Sequence, residues 1–239
     1  MKVLVTGASS GLGAAICKEF QNKSSYLDSL EIYKVAKEKT DANTIVCDIR
    51  DEPQVVKLGN SISELDILIN CAGINKISPI EDLTVNDWWE INATNAASIF
   101  LMVKQFLPQL TKSKGTILNV ISNACRIPMT HSLAYNASKA AAEMMTRQMA
   151  RELTKSKGIT ILGINPNKLE GTGMSKYIEE TVPKMRGWTK EEAKKYQLDA
   201  LPAGIETKPE WIAELVVWLL IEKRRHQYLT GCILDLGGP

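Results

Sequence analysis

A chain of 239 residues, 44% hydrophobic and 23% charged, has the composition of a globular protein and is long enough for one well-buried core. Its 29 basic and 27 acidic residues leave a net charge of +2, which marks neither a nucleic-acid nor a membrane surface. No apolar run reaches spanning length, and with "MKVLVTG" at the start no signal peptide is expected. The five cysteines (Cys17, Cys47, Cys71, Cys125 and Cys232) lack metal-ligand spacing, so the expectation is a cytoplasmic protein without a metal site. No linker or composition break divides residues 1–239, and a single domain is expected.

In chain order, Lys2 to Thr6 reads as a strand buried on both faces, running directly into "TGASSGLG" and a helix with Ala14, Ala15, Ile16 and Phe20 on its packed face. A strand, a turn with Gly7, Gly11 and Gly13, and a helix N-terminus make a phosphate site. The glycines permit close backbone approach, and the free N–H groups and helix dipole attract an anion. Ser9 and Ser10 add hydroxyls there. Glu31 to Ala36 is the second strand, with Lys37 at its carboxyl end. A basic residue there suits the 2′-phosphate of NADP, so NADP is preferred and NAD remains possible. Thr44 to Cys47 is a third strand, after which Asp48 is placed to accept from the adenine amino group, with Ile49 beside the ring. A helix starts near Pro53, and "DILIN" (Asp66 to Asn70) is a buried strand ending in "NCAG", where Gly73 again permits close approach.

Thr84 and Asp87 form a capping box opening a helix whose Trp88, Ile91, Asn95, Ile99, Met102 and Phe106 recur at helical spacing. Asn95 is the polar misfit on that stripe. Thr116 to Ile121 is a fifth strand ending at Ser122, and "HSLAYNASKAAAEMMTRQMARELTKS" is a long helix. On it Tyr135 and Lys139 are four residues apart and share a face. An ammonium beside the phenol is expected to lower the Tyr135 pKa, and Ser122 can offer a hydroxyl to the same substrate oxygen. Ile159 to Asn165 is the sixth strand, followed by "PNKLEGTG" and a charged segment, Met174 to Leu201, with two helical patterns. Arg126, Met129 and His131 are candidates to line the same pocket, with His131 expected at the helix entry. Thr207 and Glu210 are expected to cap a final helix with Trp211, Leu215, Trp218 and Leu219 on its apolar face, before a seventh strand in "TGCILDLGG". Strands alternating with helices indicate an α/β fold: a single-domain Rossmann-type doubly wound parallel sheet of about seven strands, helices on both faces.

The ordered set "TGASSGLG", Asp48, "NCAG", Asn95, "LNVIS" ending at Ser122, "YNASK" and the terminal "TGCILDLGG" resembles the classical short-chain dehydrogenase/reductase family over essentially the whole chain. Within it the sequence looks most like 3-oxoacyl-[acyl-carrier-protein] reductase-like members. Ser122 and Tyr135 also lie 13 positions apart, as in typical members. The resemblance implies Tyr135 as general acid/base and Ser122 orienting the substrate oxygen. Lys139 would tune the tyrosine and hold the nicotinamide ribose, and Asn95 would fix a relay water. It further implies a cofactor loop of Gly7, Ser9, Ser10, Gly11, Leu12 and Gly13, and an adenine site at Asp48 and Ile49. Asn70, Ala72 and Gly73 would lie beside the ribose, and Pro166, Leu169 and Thr172 on the nicotinamide loop. The chain departs from the pattern at Asn167, which stands where a glycine is usual in a loop one residue longer than common. Asparagine tolerates left-handed backbone angles there.

The function implied is an NAD(P)-dependent oxidoreductase moving a hydride between nicotinamide and a carbonyl or secondary alcohol, with residues 174–201 covering a small-molecule substrate. A ketoreductase is the leading reading, and a sugar, polyol or cyclic-alcohol dehydrogenase is the alternative. A non-catalytic dinucleotide sensor would show erosion of Asn95, Ser122, Tyr135 and Lys139, and all four are present. The family resemblance implies a homotetramer, or a homodimer, through the helices bearing Asn95 and Tyr135 and through the last helix.

Overall fold

Seven short aliphatic and β-branched runs lie side by side in the computed structural model, which describes residues 1–27, 29–221 and 227–237. They are β1 (Lys2–Thr6), β2 (Glu31–Ala36), β3 (Thr44–Val46), β4 (Ile67–Asn70), β5 (Thr116–Val120), β6 (Thr160–Pro166) and β7 (Ile233–Leu236). All pair in parallel in the order β3-β2-β1-β4-β5-β6-β7. Every residue of β4, β5 and β6 is buried, which is why these strands read as continuous apolar runs rather than alternating ones. The terminal motif extends to Gly238, which lies outside the described residues.

Two cores flank the sheet. On one face α1 (Gly11–Asn22) and α8 (Pro209–Ile221) bury Ile16, Phe20, Ile212 and Val216 against Val3, Val5 and Leu162. On the other, α2 (Glu52–Ser61), α4 (Ser98–Ser113) and α5 (Leu133–Lys157) bury Leu58, Met102, Phe106 and Ala142 against Leu4, Leu68 and Ile117. Because β1 lies between β2 and β4, the chain reverses its direction of winding there. The carboxyl ends of these strands open into the crevice where doubly wound sheets take ligands. No helix among the described residues is long and apolar enough to cross a membrane.

Three sequence expectations change. The run from Thr84 to Phe106 is not one regular helix: α3 (Val85–Asn92) passes into a π-helical segment at Ala93–Ala97 before α4. The capping box at its start is present, with Thr84 Oγ1 accepting from the Asp87 N–H at 3.1 Å and Asp87 Oδ2 accepting from the Thr84 N–H at 3.2 Å. In α8 the buried residues are Ile212, Ala213, Val216, Val217, Leu219 and Leu220, while Trp211 and Trp218 face outward. That helix is apolar all round, so periodicity alone does not choose its inner face. Thr207 does not act as its cap, because its hydroxyl donates to Asn167 Oδ1 at 3.0 Å and the helix opens on Pro209.

Candidate active site

The site starts at the end of β1. Thr6 Oγ1 accepts from the N–H groups of Cys71 and Ala72 at 3.1 and 3.2 Å, drawing "NCAG" against the first strand. At Gly7 (φ +67°) a Cβ would stand 2.8 Å from Ala72 Cα, so no side chain fits. A Cβ at Gly13 would lie 2.2 Å from the Gly7 carbonyl oxygen, which fixes how α1 leaves the turn. Ser10 is the N-cap of α1, yet its side chain makes no capping hydrogen bond, and Ser9 and Ser10 are exposed. The first N–H groups of α1 thus face the crevice without a side-chain acceptor, which fits a dinucleotide pyrophosphate. Leu12 is buried in the core, so any contact from it would be through backbone.

Tyr135, Ser122, Lys139 and Asn95 converge at the carboxyl ends of β4 and β5. Ser122 follows β5 in extended backbone and accepts from the Ala124 N–H at 3.2 Å, while Tyr135 and Lys139 share the buried face of α5. Ser122 Oγ also donates to Asn123 Oδ1 at 3.3 Å, and its hydroxyl lies near enough to the Tyr135 phenol to favour the phenolate. Lys139 donates to the Val120 carbonyl at 3.0 Å and sits 5.8 Å from the centre of the Tyr135 ring. A Cβ added at Gly73 would lie 3.5 Å from both Lys139 Nζ and Asn95 Oδ1, so the glycine keeps this corner clear.

The tyrosine's ionisation differs from the sequence expectation. Burial pushes the Tyr135 phenol above its ordinary value, opposed by the nearby Ser122 hydroxyl. Burial also takes Lys139 down, to about 8. Both groups are taken out of water together, and desolvation is the largest influence on each.

Asn95 is 1% exposed and every hydrogen bond it makes is specific. Its Oδ1 accepts from the Ile74 N–H at 2.8 Å, and its Nδ2 donates to the Ile74 carbonyl at 2.9 Å and to Ser138 Oγ at 3.0 Å. It therefore clamps the backbone beside Gly73, and the π-helical segment is what turns it there. Asn70 looks into the sheet instead: its Nδ2 donates to Asn119 Oδ1 at 2.8 Å, and Asn119 donates in turn to Thr146 Oγ1 at 2.9 Å. Ser138, Asn119 and Thr146 are polar residues that apolar periodicity passed over. Each marked itself only as a polar side chain within a buried run.

On the adenine side Lys37 is exposed just past β2. Asp48 is engaged by Arg50, which the sequence reading did not single out. Arg50 Nη2 and Nε donate to the Asp48 carboxylate at 2.6 and 2.9 Å, and its Nη1 meets Glu90 of α3 at 2.8 Å. This guanidinium holds the Asp48 carboxyl below its usual range. Ile49 is buried beside it. Arg126 is likewise occupied, by Glu143 and by Asp235 of β7, each at 2.8 Å. His131 sits in a left-handed turn (φ 63°) two residues before α5, its carbonyl accepting from Ser78.

The loop after Pro166 closes the far side. Asn167 needs no left-handed backbone; its side chain donates to the Gly237 carbonyl at 2.8 Å and accepts from Thr207. Leu169 pairs with Thr207, and Thr172 caps α6 (Gly173–Arg186) with its methyl 3.5 Å from where a Gly11 Cβ would be. By Tyr177 this helix has reached the loop after β4, where its hydroxyl accepts from the Ile77 N–H at 3.1 Å. So α6 runs from the phosphate loop to the edge of the Lys139 corner. Next comes α7 (Lys190–Asp199).

Comparison with known proteins agrees with this geometry. The short chain dehydrogenase family profile matches residues 1–183. Glucose 1-dehydrogenase 2 of Bacillus subtilis (strain 168) is 29% identical over 98% of this chain and 92% of its own. The granaticin polyketide synthase putative ketoacyl reductase 1 of Streptomyces violaceoruber is 27% identical over 92% of this chain and 86% of its own. Among solved structures, a variant of an actinorhodin polyketide ketoreductase with NADPH superposes with a TM-score of 0.88 at 25% identity, covering 99% of this chain and 95% of that one. A short chain dehydrogenase family protein from Francisella tularensis gives 0.86 at 23% identity, covering 98% and 96%. The chain belongs to the short-chain dehydrogenase family and is an oxidoreductase acting on CH–OH and C=O groups.

Proposed function

We propose that this protein is an NADP-preferring ketoreductase in which Tyr135 is the general acid and base. The observation that carries the reading is the joint burial of Ser122, Tyr135 and Lys139, with the lysine 5.8 Å from the Tyr135 ring, in the crevice that also holds the glycine turn. The bound nicotinamide supplies the hydride. As hydride reaches a carbonyl carbon, negative charge grows on its oxygen. The Ser122 and Tyr135 hydroxyls, buried side by side, both serve one such oxygen. A phenol raised by burial is protonated at neutral pH, so Tyr135 donates its proton to that oxygen. The Lys139 ammonium then stands close to the new phenolate in a water-poor site, where its field is strong. Asn95 fixes the Ile74 backbone, whose carbonyl keeps a second lone pair for a water returning protons to Lys139.

Gly7, Ser9, Ser10, Gly11, Leu12 and Gly13 would hold the pyrophosphate, Asp48 and Ile49 the adenine, and Ala72 and Gly73 the ribose beside Asn70. Pro166, Leu169 and Thr172 would hold the nicotinamide. Lys37, exposed at the end of β2 and without an acidic hydrogen-bond partner among the described residues, supports the 2′-phosphate and hence NADP. Residues 1–239 act as a single catalytic domain with 174–201 covering a small-molecule carbonyl substrate. The resemblance to ketoacyl reductases favours a 3-oxoacyl substrate, while the glucose 1-dehydrogenase relative favours a sugar or polyol as second reading. Five unpaired cysteines support a cytoplasmic location, and the outward tryptophans of α8 support a homotetramer. Rates for a panel of 3-oxoacyl thioesters, aldoses, polyols and cyclic ketones, each with NADPH or NADH and their oxidised forms, decide cofactor and substrate class together. The expected result is turnover of a 3-oxoacyl thioester at least about tenfold faster with NADPH. Equal or faster rates with NADH contradict the assignment of Lys37.

A further inference from the structure

Most ion pairs among the described residues keep at least one partner well exposed and contribute little, but one cluster is withdrawn from water. Lys168, two residues past β6, has a side chain only 11% exposed. Its ammonium meets Glu179 of α6 at 2.9 Å and Glu206 at 2.5 Å. It also donates to Gln197 of α7. Glu206, 7% exposed on the loop before α8, takes Lys194 of α7 at 2.6 Å. Two lysines, two glutamates and an amide from four separate places in the chain thus share one small volume.

The backbone around Lys168 and Glu206 is fixed. The Glu170 N–H donates to the Thr207 carbonyl at 2.9 Å, and the Thr207 N–H donates to the Lys168 carbonyl at 3.2 Å. Asn167 binds both Thr207 and the Gly237 carbonyl, which ties this pair to the end of β7. Lys168 and Glu206 therefore belong to the body of the molecule, whereas Glu179, Lys194 and Gln197 belong to the segment that crosses the crevice. On the other side that segment is held by Tyr177 accepting from the Ile77 N–H. A single neutral hydrogen bond is weaker than the charge-assisted set around Lys168. The ionic cluster is a firmer attachment than that bond.

Anything bound between the glycine turn and Tyr135 lies beneath α6, because Thr172 abuts Gly11 at one end and Tyr177 reaches Ile77 further along. Leaving the crevice requires α6 to lift, and lifting separates Glu179 and Gln197 from Lys168. Lids that must open to release product often limit turnover. We propose that Lys168 and Glu206 are positioning residues that anchor α6 and α7 over the crevice, and that opening at this anchor sets the rate at which the dinucleotide leaves. The second half of this inference rests on the proposed use of NADPH, whereas the first half does not.

The test uses the full chain as wild type, Lys168→Met, Lys168→Arg and Glu206→Gln. Amide hydrogen exchange is followed over residues 173–199 and over β4, β5 and β6, and NADPH release is followed by its fluorescence on displacement with excess NADP. The Lys168→Met and Glu206→Gln variants are expected to exchange about fivefold faster over 173–199, with the strands unchanged, and to release NADPH about fivefold faster. Lys168→Arg, which keeps the charge and donors, is expected to return both to within about twofold of wild type. Unaltered exchange over 173–199 overturns the anchor, and so does an increase spread evenly through the strands, which would make these residues general stabilisers. Faster exchange with unchanged NADPH release overturns the claim about release. A wild-type chain that fails to bind NADPH contradicts the proposed function, while the exchange arm still decides on the anchor.

Discussion

Lys139 sits at the centre of the site with one described hydrogen bond, to the Val120 carbonyl, and burial takes its pKa to about 8. Linkage gives the sign of its effect on stability. A lysine depressed in the fold contributes nothing adverse above its unfolded value, and it costs stability as pH falls from there through the folded value. Comparing urea unfolding of wild type with Lys139→Met between pH 10 and pH 7 isolates this. The wild type is expected to lose about 2 kcal/mol relative to the variant over that range, and a constant difference would contradict the depressed lysine. The raised Tyr135 works oppositely, its stabilisation being lost only as pH rises through its folded value, above the range compared. The Tyr-x-x-x-Lys spacing was legible in the sequence. The joint burial that leaves the phenol protonated was not, because it depends on how α5 packs against β5.

The element that most shapes the site is the π-helical segment Ala93–Ala97 between α3 and α4. Such insertions recur at functional positions because they rotate one residue out of the regular ladder. Here the rotated residue is Asn95, which holds both main-chain groups of Ile74. Asn95→Ala leaves those groups and Ser138 without that partner in a buried place. It is expected to cost about 1–3 kcal/mol by thermal or urea unfolding and to lower turnover at least about tenfold, because the loop beside Lys139 loses its clamp. Stability and rate both unchanged would contradict this. The apolar stripe from Ile91 to Phe106 continues through the segment, so hydrophobic spacing reads it as one helix. By contrast β1 and β2 were legible to the residue, β1 as an apolar run entering a glycine turn and β2 from Ile32, Tyr33 and Val35. In the sequence Lys194 is one charge among many in the segment from Met174 to Leu201, and Lys168 is one residue of "PNKLEGTG". Only the folded chain brings them both to Glu206.

At the scale of the molecule, the parallel order β3-β2-β1-β4-β5-β6-β7 brings residues far apart in the chain, Gly7, Gly73, Ser122 and Thr172, to one edge of the sheet. The same folding leaves Trp211 and Trp218 on the outside of α8, with Trp218 63% exposed. Exposed tryptophans grouped on one helix suit burial against a second copy. Trp218→Glu is expected to shift the sedimentation of the protein at micromolar concentration from the proposed tetramer to a smaller species, and a monomeric wild type would contradict that proposal. The whole-chain architecture was readable because seven motifs stand in order. The inner face of α8 was not, because that helix is apolar on every side. In the proposed site the glycine turn binds the dinucleotide while Tyr135 moves the proton, two jobs done by separate parts of one crevice. Measuring turnover and NADPH affinity together for Tyr135→Phe separates them. Turnover is expected to fall at least about a thousandfold, with NADPH affinity within about threefold of wild type. Turnover within about tenfold of wild type would contradict it.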